Sequence, residues 1–335
     1  MDLDSAQSAP TQSPSTGERP FQILALDGGG IKGLFTASLL KAFEDDLGCT
    51  ITDHFDLITG TSTGGIIALA LGLGKSPQDI VDFYLKKGPS IFRNPLKGLV
   101  FFKHLVKRKF NPKALEEALM EVFGGHLLGH SQKRLVIPSY SNDSCLPCTF
   151  KTRHHPNFTR DWKRPMVDIA LATSAAPTYF PASTRIDNIR HLDGGLWANN
   201  PILVGLTEAV SYLEIPVSQI KILSLGTTGA LTNRSRRMDH GGLSQWAWDI
   251  TNILMDAQSN GATFIAHNLL GDQGKQPQSE RILRINPTVP PKLFELDRID
   301  ERRILSLASE TSKAYTPRLK EMFLSHQAPS FTPLP

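Results

Sequence analysis

Ile23-Leu24-Ala25-Leu26-Asp27-Gly28-Gly29-Gly30-Ile31-Lys32-Gly33-Leu34 is the stretch that decides the architecture of this 335-residue chain. Four apolar residues in succession are too few for a helix and read as a buried strand. Three glycines stop the run, and beyond them apolar side chains recur at Leu34, Leu39, Leu40 and Phe43 with the spacing of a helix face. The unit is strand, glycine turn, helix. A second follows at once, with Phe55 to Ile58 as strand, Gly60-Thr61-Ser62-Thr63-Gly64 as turn and Gly65 to Leu73 as helix. Two such units in tandem imply a parallel sheet.

Ser76-Pro77-Gln78-Asp79 then supplies an N-cap, a proline at N1 and an acid at N3, opening a helix through Tyr84. Further strands are expected at Leu135 to Tyr140, Ile189 to Leu192, Ile220 to Leu225 and Arg281 to Ile285, and helices near Val167 to Ser174, Leu243 to Leu270 and Arg302 to Leu324. No internal repeat and no linker interrupts the chain after residue 20. The expected fold is α/β, a three-layer α/β/α sandwich with a mainly parallel central sheet, forming a single domain over residues 21–335. Residues 1–20 are rich in Ser, Pro, Thr and Gln, so burial there cannot offset the entropy of ordering, and a disordered tail is expected.

At 40% hydrophobic and 20% charged residues the chain has a globular composition, and a net charge of +4 is too weak to argue for DNA or RNA as partner. Three cysteines make no complete disulfide framework, which fits a reducing compartment. No apolar signal-like core opens the sequence, and its longest apolar stretch, Ile66 to Leu73, is far short of the ~20 residues of a spanning helix. A cytoplasmic location is therefore expected.

Gly60-x-Ser62-x-Gly64 between a buried strand and a helix has the form of a nucleophile elbow, in which a tight turn lifts the serine hydroxyl clear of the sheet. The bland reading, small residues that let a helix pack closely on a strand, does not require a serine at the apex. Gly28, Gly29 and Gly30 are candidates for an oxyanion hole, because backbone N–H groups there can approach a reacting carbonyl unhindered by any Cβ. Gly28-x-Gly30-x-x-Gly33 also fits a dinucleotide fingerprint, but Asp27 would then set a carboxylate beside a pyrophosphate. Asp193-Gly194-Gly195 at the end of an expected strand is the candidate base for Ser62. Alone it reads equally as an Asp-Gly turn.

These motifs, Asp27-Gly28-Gly29-Gly30-Ile31-Lys32-Gly33, Gly60-Thr61-Ser62-Thr63-Gly64, Ala172-Thr173-Ser174-Ala175-Ala176-Pro177 and Asp193-Gly194-Gly195, resemble in this order the patatin-like phospholipases. The resemblance implies a carboxylic ester hydrolase that cleaves acyl esters of membrane phospholipids. It further implies a catalytic Ser62–Asp193 dyad, an oxyanion hole at Gly28 to Gly30, and no required cofactor. The family often carries arginine where this chain has Lys32, which keeps the charge and loses the planar fork. A Ser-Asp-His triad drawing on His240 or His267 is the alternative within hydrolases. A binding module with an incidental serine is the alternative outside them. The stretch from Ile23 to Ala37 also resembles bacterial patatin-like effectors of anti-phage signalling, which implies activation by a cyclic dinucleotide such as cGAMP. Basic loops at Arg153 to Arg164 and Arg234 to Arg237 are candidates to meet its phosphates.

Between Phe83 and Leu115 nine Lys or Arg residues and no acid are interleaved with Phe92, Leu96, Phe101, Phe102 and other apolar side chains. Such a surface can lie on an anionic bilayer, so peripheral contact with the inner membrane is expected when the protein is active. A solvated basic face over a buried aromatic stripe is the plainer reading. Cys145, Cys148, His154 and His155 have the chemistry of a zinc site, but adjacent histidines rarely face one ion and Pro147 suggests a simple hairpin loop. Aromatic residues Trp246 and Trp248 fit either core or a homo-oligomer contact.

Overall fold

All six residues of β1 (Phe21–Leu26) are buried. Successive side chains of a strand point to opposite faces, so a strand buried throughout needs a layer on each side. The computed structural model, which describes residues 19–92, 110, 112–230, 241–242, 246, 250–271, 279–290, 294 and 299–334, supplies both. Leu24 and Leu26 join one apolar cluster with Leu34, Phe35 and Phe43. Ile23 and Ala25 join another with Ile202, Leu206 and Ala266.

β1 is flanked in parallel by β2 (Leu57–Gly60) and β6 (Ile220–Leu225). Parallel pairing continues from β2 to β3 (Arg134–Ser141) and from β6 to β8 (Ile282–Ile285). The antiparallel exceptions in this sheet are β4 (Leu146–Lys151) and β5 (His191–Asp193), both on β3. The order β4-β3-β2-β1-β6-β8, with β5 beside β3, makes a mainly parallel seven-stranded sheet; β7 (Gly229–Ala230) pairs apart from it with β9 (Thr288–Val289). The first cluster is built with α1 (Gly33–Leu47), α2 (Thr63–Gly72), α3 (Pro77–Ile91), α4 (Pro112–Phe123), α5 (Met166–Thr173) and α9 (Glu301–Phe323). A four-residue turn, α6 (Gly195–Ala198), follows β5, and the second cluster lies under α7 (Ile202–Ser211) and α8 (Ile250–Leu269).

Several elements depart from the sequence reading. The second strand starts two residues later than Phe55, because Ile51–His54 winds into a 3-10 turn first. The strand expected from Ile189 is only His191–Asp193. The helix capped by Ser76 and Asp79 runs on to Ile91, past Pro89. The hairpin expected at Pro147 is present, with residues 142–145 as its turn between β3 and β4, but Pro147 itself lies in β4, an edge strand, where a missing N–H is tolerated. The expected tail lies outside the described residues up to residue 18; of its last two residues, Arg19 is tied to His326 and to the Gln327 carbonyl. The start of the helix expected from Leu243 is also outside them, apart from Trp246.

At the amino ends of β1 and β2 the chain after α9 is stitched in by buried polar groups. His326 Nε2 meets Asp56 Oδ2 at 2.7 Å with both side chains buried, and the Gln22 N–H donates to the same oxygen at 2.8 Å. Removing one partner of a buried ion pair or its hydrogen-bonded equivalent strands the other. His326→Ala should therefore lower unfolding stability by about 3 kcal/mol in urea titrations, and His326→Gln, which can still donate to Asp56, should recover part of that loss.

Candidate active site

Ser62 stands between β2 and α2 at φ 54°, ψ −120°, a conformation that costs a non-glycine residue on the order of 1–3 kcal/mol. The flanking glycines make it attainable. A Cβ on Gly60 would lie 2.1 Å from the Gly64 carbonyl oxygen, and one on Gly64 would lie 2.2 Å from that of Leu26. The strained peptide is also tied down, for the Ser62 N–H donates to Thr173 Oγ1 at 3.0 Å and that hydroxyl donates to the Pro138 carbonyl at 2.6 Å. Sequence singled out the Thr173 stretch as a motif without assigning the residue this part.

Pro138 also explains how Asp193 arrives. β3 pairs with β2 only as far as Val136, and from Ser139 onward its neighbour is β5. Gly194 crosses there so closely that a Cβ would lie 2.4 Å from the Pro138 carbonyl oxygen. The crossing delivers Asp193 to the elbow: Ser62 Oγ donates to Asp193 Oδ2 at 2.7 Å, and Asp193 Oδ1 accepts the Gly195 N–H at 2.7 Å. Ser62 is half-buried and Asp193 buried. Burial pushes the Asp193 carboxyl up to about 6, against the opposing pull of its bonds from Ser62 and Gly195.

The three glycines of the first turn serve different purposes. Gly28, expected in the oxyanion hole, gives its N–H to the Asn199 carbonyl at 2.9 Å and so has none to offer a ligand. Its lack of a side chain matters instead, because a Cβ would lie 2.5 Å from Asn199 Oδ1 and 3.3 Å from Ser62 Cβ. The N–H groups of Gly29 and Gly30, and that of Thr63 at the start of α2, have no partner among the described residues. Behind the loop, Thr227 Oγ1 donates to the Gly28 carbonyl at 3.0 Å and fills the space a Cβ on Gly29 would need. Asp27 is clasped by Arg284 through contacts of 2.8 and 2.5 Å. Arg284 was legible in principle: a lone guanidinium in the apolar run Ile282–Ile285 calls for a buried acid. Lys32 Nζ donates to the Thr228 carbonyl at 3.0 Å, and burial lowers its pKa against the pull of Asp256 and Asp27.

Histidine takes no place between hydroxyl and carboxylate. His267 is buried on α8, His240 lies outside the described residues, and His191 packs on Phe150 with Nδ1 3.7 Å from Cys148 Sγ. The zinc grouping disperses: Cys145 Sγ turns to the Asn142 carbonyl, while His154 bonds Thr152 and Glu208. Among the described residues no three His, Cys, Asp or Glu side chains form a candidate metal site. Of the basic loops, Arg153 stacks on Trp162 and Arg164 pairs with Asp187, at the β4 side of the sheet; Arg234 to Arg237 lie outside the described residues. So do residues 93–109 and 111 of the basic and aromatic stretch, and Trp248.

A family model described as patatin-like phospholipase matches residues 24–206, a span that holds the glycine loop, the elbow and Asp193. The chain belongs to the patatin-like phospholipase family, a class of carboxylic ester hydrolases. Among its relatives, the cGAMP-activated phospholipase of Pseudomonas aeruginosa is 35% identical over 77% of this chain and 78% of its own length. That of Vibrio cholerae is 33% identical over 87% and 88% respectively. VipD from Legionella pneumophila, a solved structure, aligns over 90% of this chain and 67% of its own with a TM-score of 0.48 and 11% identity, too distant to inform the site.

Two outcomes follow. Thr173→Val leaves a buried N–H at the strained elbow without its acceptor, so it should cost about 1–3 kcal/mol of stability, whereas Thr173→Ser should be nearly silent; thermal melts compare them. Asp193 has a folded pKa of about 6 against 3.8 unfolded, so its stabilising protonation is complete below 3.8 and lost as pH rises through 6. Asp193→Asn should thus melt above wild type at pH 8, by at most about 3 kcal/mol in stability, with the advantage gone near pH 4.

Proposed function

We propose that this protein hydrolyses acyl esters of membrane phospholipids with Ser62 as nucleophile and Asp193 as its base, and that a cyclic dinucleotide such as cGAMP switches the activity on. The observation that carries the chemistry is the 2.7 Å hydrogen bond from Ser62 Oγ to Asp193 Oδ2. As the hydroxyl oxygen bonds to the ester carbonyl carbon, its proton passes to Asp193. The carbonyl oxygen becomes an oxyanion, received by the Gly29, Gly30 and Thr63 amides. Collapse of this intermediate expels the alcohol, protonated by Asp193, and leaves an acyl-Ser62 ester. Water then attacks that ester, giving its proton to the same carboxylate, and the fatty acid leaves as Ser62 regains its hydrogen. Asp193 suits both directions because a carboxyl near 6 accepts and returns protons at neutral pH.

No helix among the described residues is long and apolar enough to cross a membrane, and the bilayer is reached in this reading through the basic and aromatic stretch between Phe83 and Leu115. Regulation by cyclic dinucleotide is supported by relatives that carry cGAMP activation in their names.

A fluorophosphonate probe should label the protein, and Ser62→Ala should abolish both labelling and ester hydrolysis. With a soluble ester, kcat/KM should climb about tenfold per pH unit below 6 and level off above it, since only ionised Asp193 is a base. Persistent labelling of Ser62→Ala, or loss of the inflection in His267→Ala, would count against the dyad. On anionic liposomes, lipid hydrolysis should rise when cGAMP is added; full activity without it would remove the regulatory half of the reading.

A further inference from the structure

A cavity of about 710 Å³ lies behind the glycine loop, and neither Ser62 nor Asp193 lines it. Its walls are the turns after β1 and β6, the end of β8, and one side of α8. The chain leaves β1 toward β2 on one side, while β6 and β8 extend the sheet on the other, so the strand order reverses between β1 and β6. In open α/β sheets the crevice beyond the carboxyl ends of the strands at such a reversal is where ligands bind. Much of the wall, from Thr227 onward, lies beyond the family match that ends at residue 206.

Thr228 marks the cavity as built for something. Its backbone is held at φ 87°, a strained value for a β-branched residue. The residue is only 5% exposed, its Oγ1 has no hydrogen-bond partner, and it lines the cavity. A buried hydroxyl left unsatisfied is a cost the fold does not recover within itself. Beside it is the Lys32 ammonium, with one N–H engaged by the Thr228 carbonyl. Arg284 shares the wall, but Asp27 neutralises it. Facing them from α8 are Asp256 and Asn260. A simple anion would use Lys32 and Thr228 and be repelled by Asp256. Lys32 and Asp256 attract one another across the wall, so the cavity presents a cation and a carboxylate together. A nucleotide satisfies both, offering a phosphodiester oxygen to the cation and hydroxyl and base N–H groups to the carboxylate.

We propose that this cavity is the binding site for a phosphodiester-linked nucleotide, with Lys32 and Thr228 on the phosphate and Asp256 and Asn260 on a base edge. The proposal rests on the reading that a cyclic dinucleotide activates the enzyme, and it says where that ligand acts. The site adjoins the catalytic loop on two sides. Thr227, next to Thr228, donates to the Gly28 carbonyl. From α8, Gln258 Oε1 accepts the Asn199 N–H at 3.0 Å, and the Asn199 carbonyl receives the Gly28 N–H. A ligand drawn between the β6 turn and α8 therefore grips both anchors of the glycines whose amides face the oxyanion.

The test is calorimetric titration of cGAMP, c-di-GMP and c-di-AMP into the full chain, with Thr228→Val and Asp256→Ala as variants and melting temperature read alongside. At least one of the three should bind wild type, and each variant should weaken it by about tenfold or more, the weight of one charge-assisted or buried hydrogen bond. Ligand-free Thr228→Val should melt no lower than wild type, because it loses an unsatisfied hydroxyl and keeps its shape, while the upshift caused by nucleotide shrinks. A structural role for the hydroxyl would give the reverse, a lower melting point with unchanged affinity. If nucleotide binds and stimulates lipid hydrolysis equally in wild type and both variants, the site is elsewhere and only this proposal falls. If none of the three binds or stimulates wild type, the activation reading falls and takes the proposal with it.

Discussion

The close approach of β2, α2 and β1 at the elbow is the constraint on which the rest of the site depends. No Cβ fits at Gly60 or Gly64, because backbone oxygens of Gly64 and Leu26 already occupy those volumes. That contact forces the intervening residue to positive φ and aims its side chain away from the sheet. Such strain persists only where the surroundings over-determine it. Here they do so through Thr173, whose one hydroxyl accepts from the Ser62 N–H and donates to Pro138. Pro138 in turn stands where β3 exchanges its parallel neighbour for β5, which brings the carboxylate. Ser62 and Asp193 are thus registered against the same strand, and the 2.7 Å between Oγ and Oδ2 follows from that register.

Electrostatics adds a tension that packing alone does not show. Asp193 would be more comfortable protonated, and burial says so; two hydrogen bonds hold the shift to about 6. A fully solvated carboxylate would be too weak a base for a serine hydroxyl, and an unsupported buried one would stay neutral at pH 7. The compromise stores destabilisation at the site, as active sites commonly do. The Asp56–His326 contact at the opposite, amino ends of the strands meets the same desolvation with a partner instead, and serves to fasten the chain after α9.

What the sequence reveals follows from how local each signal is. The first two strand-turn-helix units are legible because each is one contiguous apolar period broken by glycine, and β1, the elbow and α1 lie accordingly. The mainly parallel sheet follows from them. Strand β4 is hidden by Pro147, since its edge position, which makes proline harmless, is a property of the whole sheet. α4 and α7 have no counterpart in the sequence reading, although Ile202, Leu206 and Ala209 carry helical spacing. At the candidate site, the residues that sequence singles out, Ser62, Asp193 and the glycines, are brought together, but that Gly28 spends its N–H on Asn199 is not legible. That hydrogen bond spans more than 170 positions and leaves no pattern in either stretch. The Arg284–Asp27 pair is equally remote, yet its chemistry was visible at one end as a charge in an apolar strand.

The glycine loop is best understood as a sheet of backbone with two faces. One meets Ser62, to which Gly28 approaches as closely as a missing Cβ allows, and carries the unpaired amides of Gly29 and Gly30. The other is fastened by Thr227 and, at its root, the Asp27–Arg284 clasp. A donor that must meet a developing oxyanion is worth most when it is already in place, since a shift of a few tenths of an ångström weakens it. In the proposed reaction the residues behind the loop would therefore hold those donors in place without touching substrate.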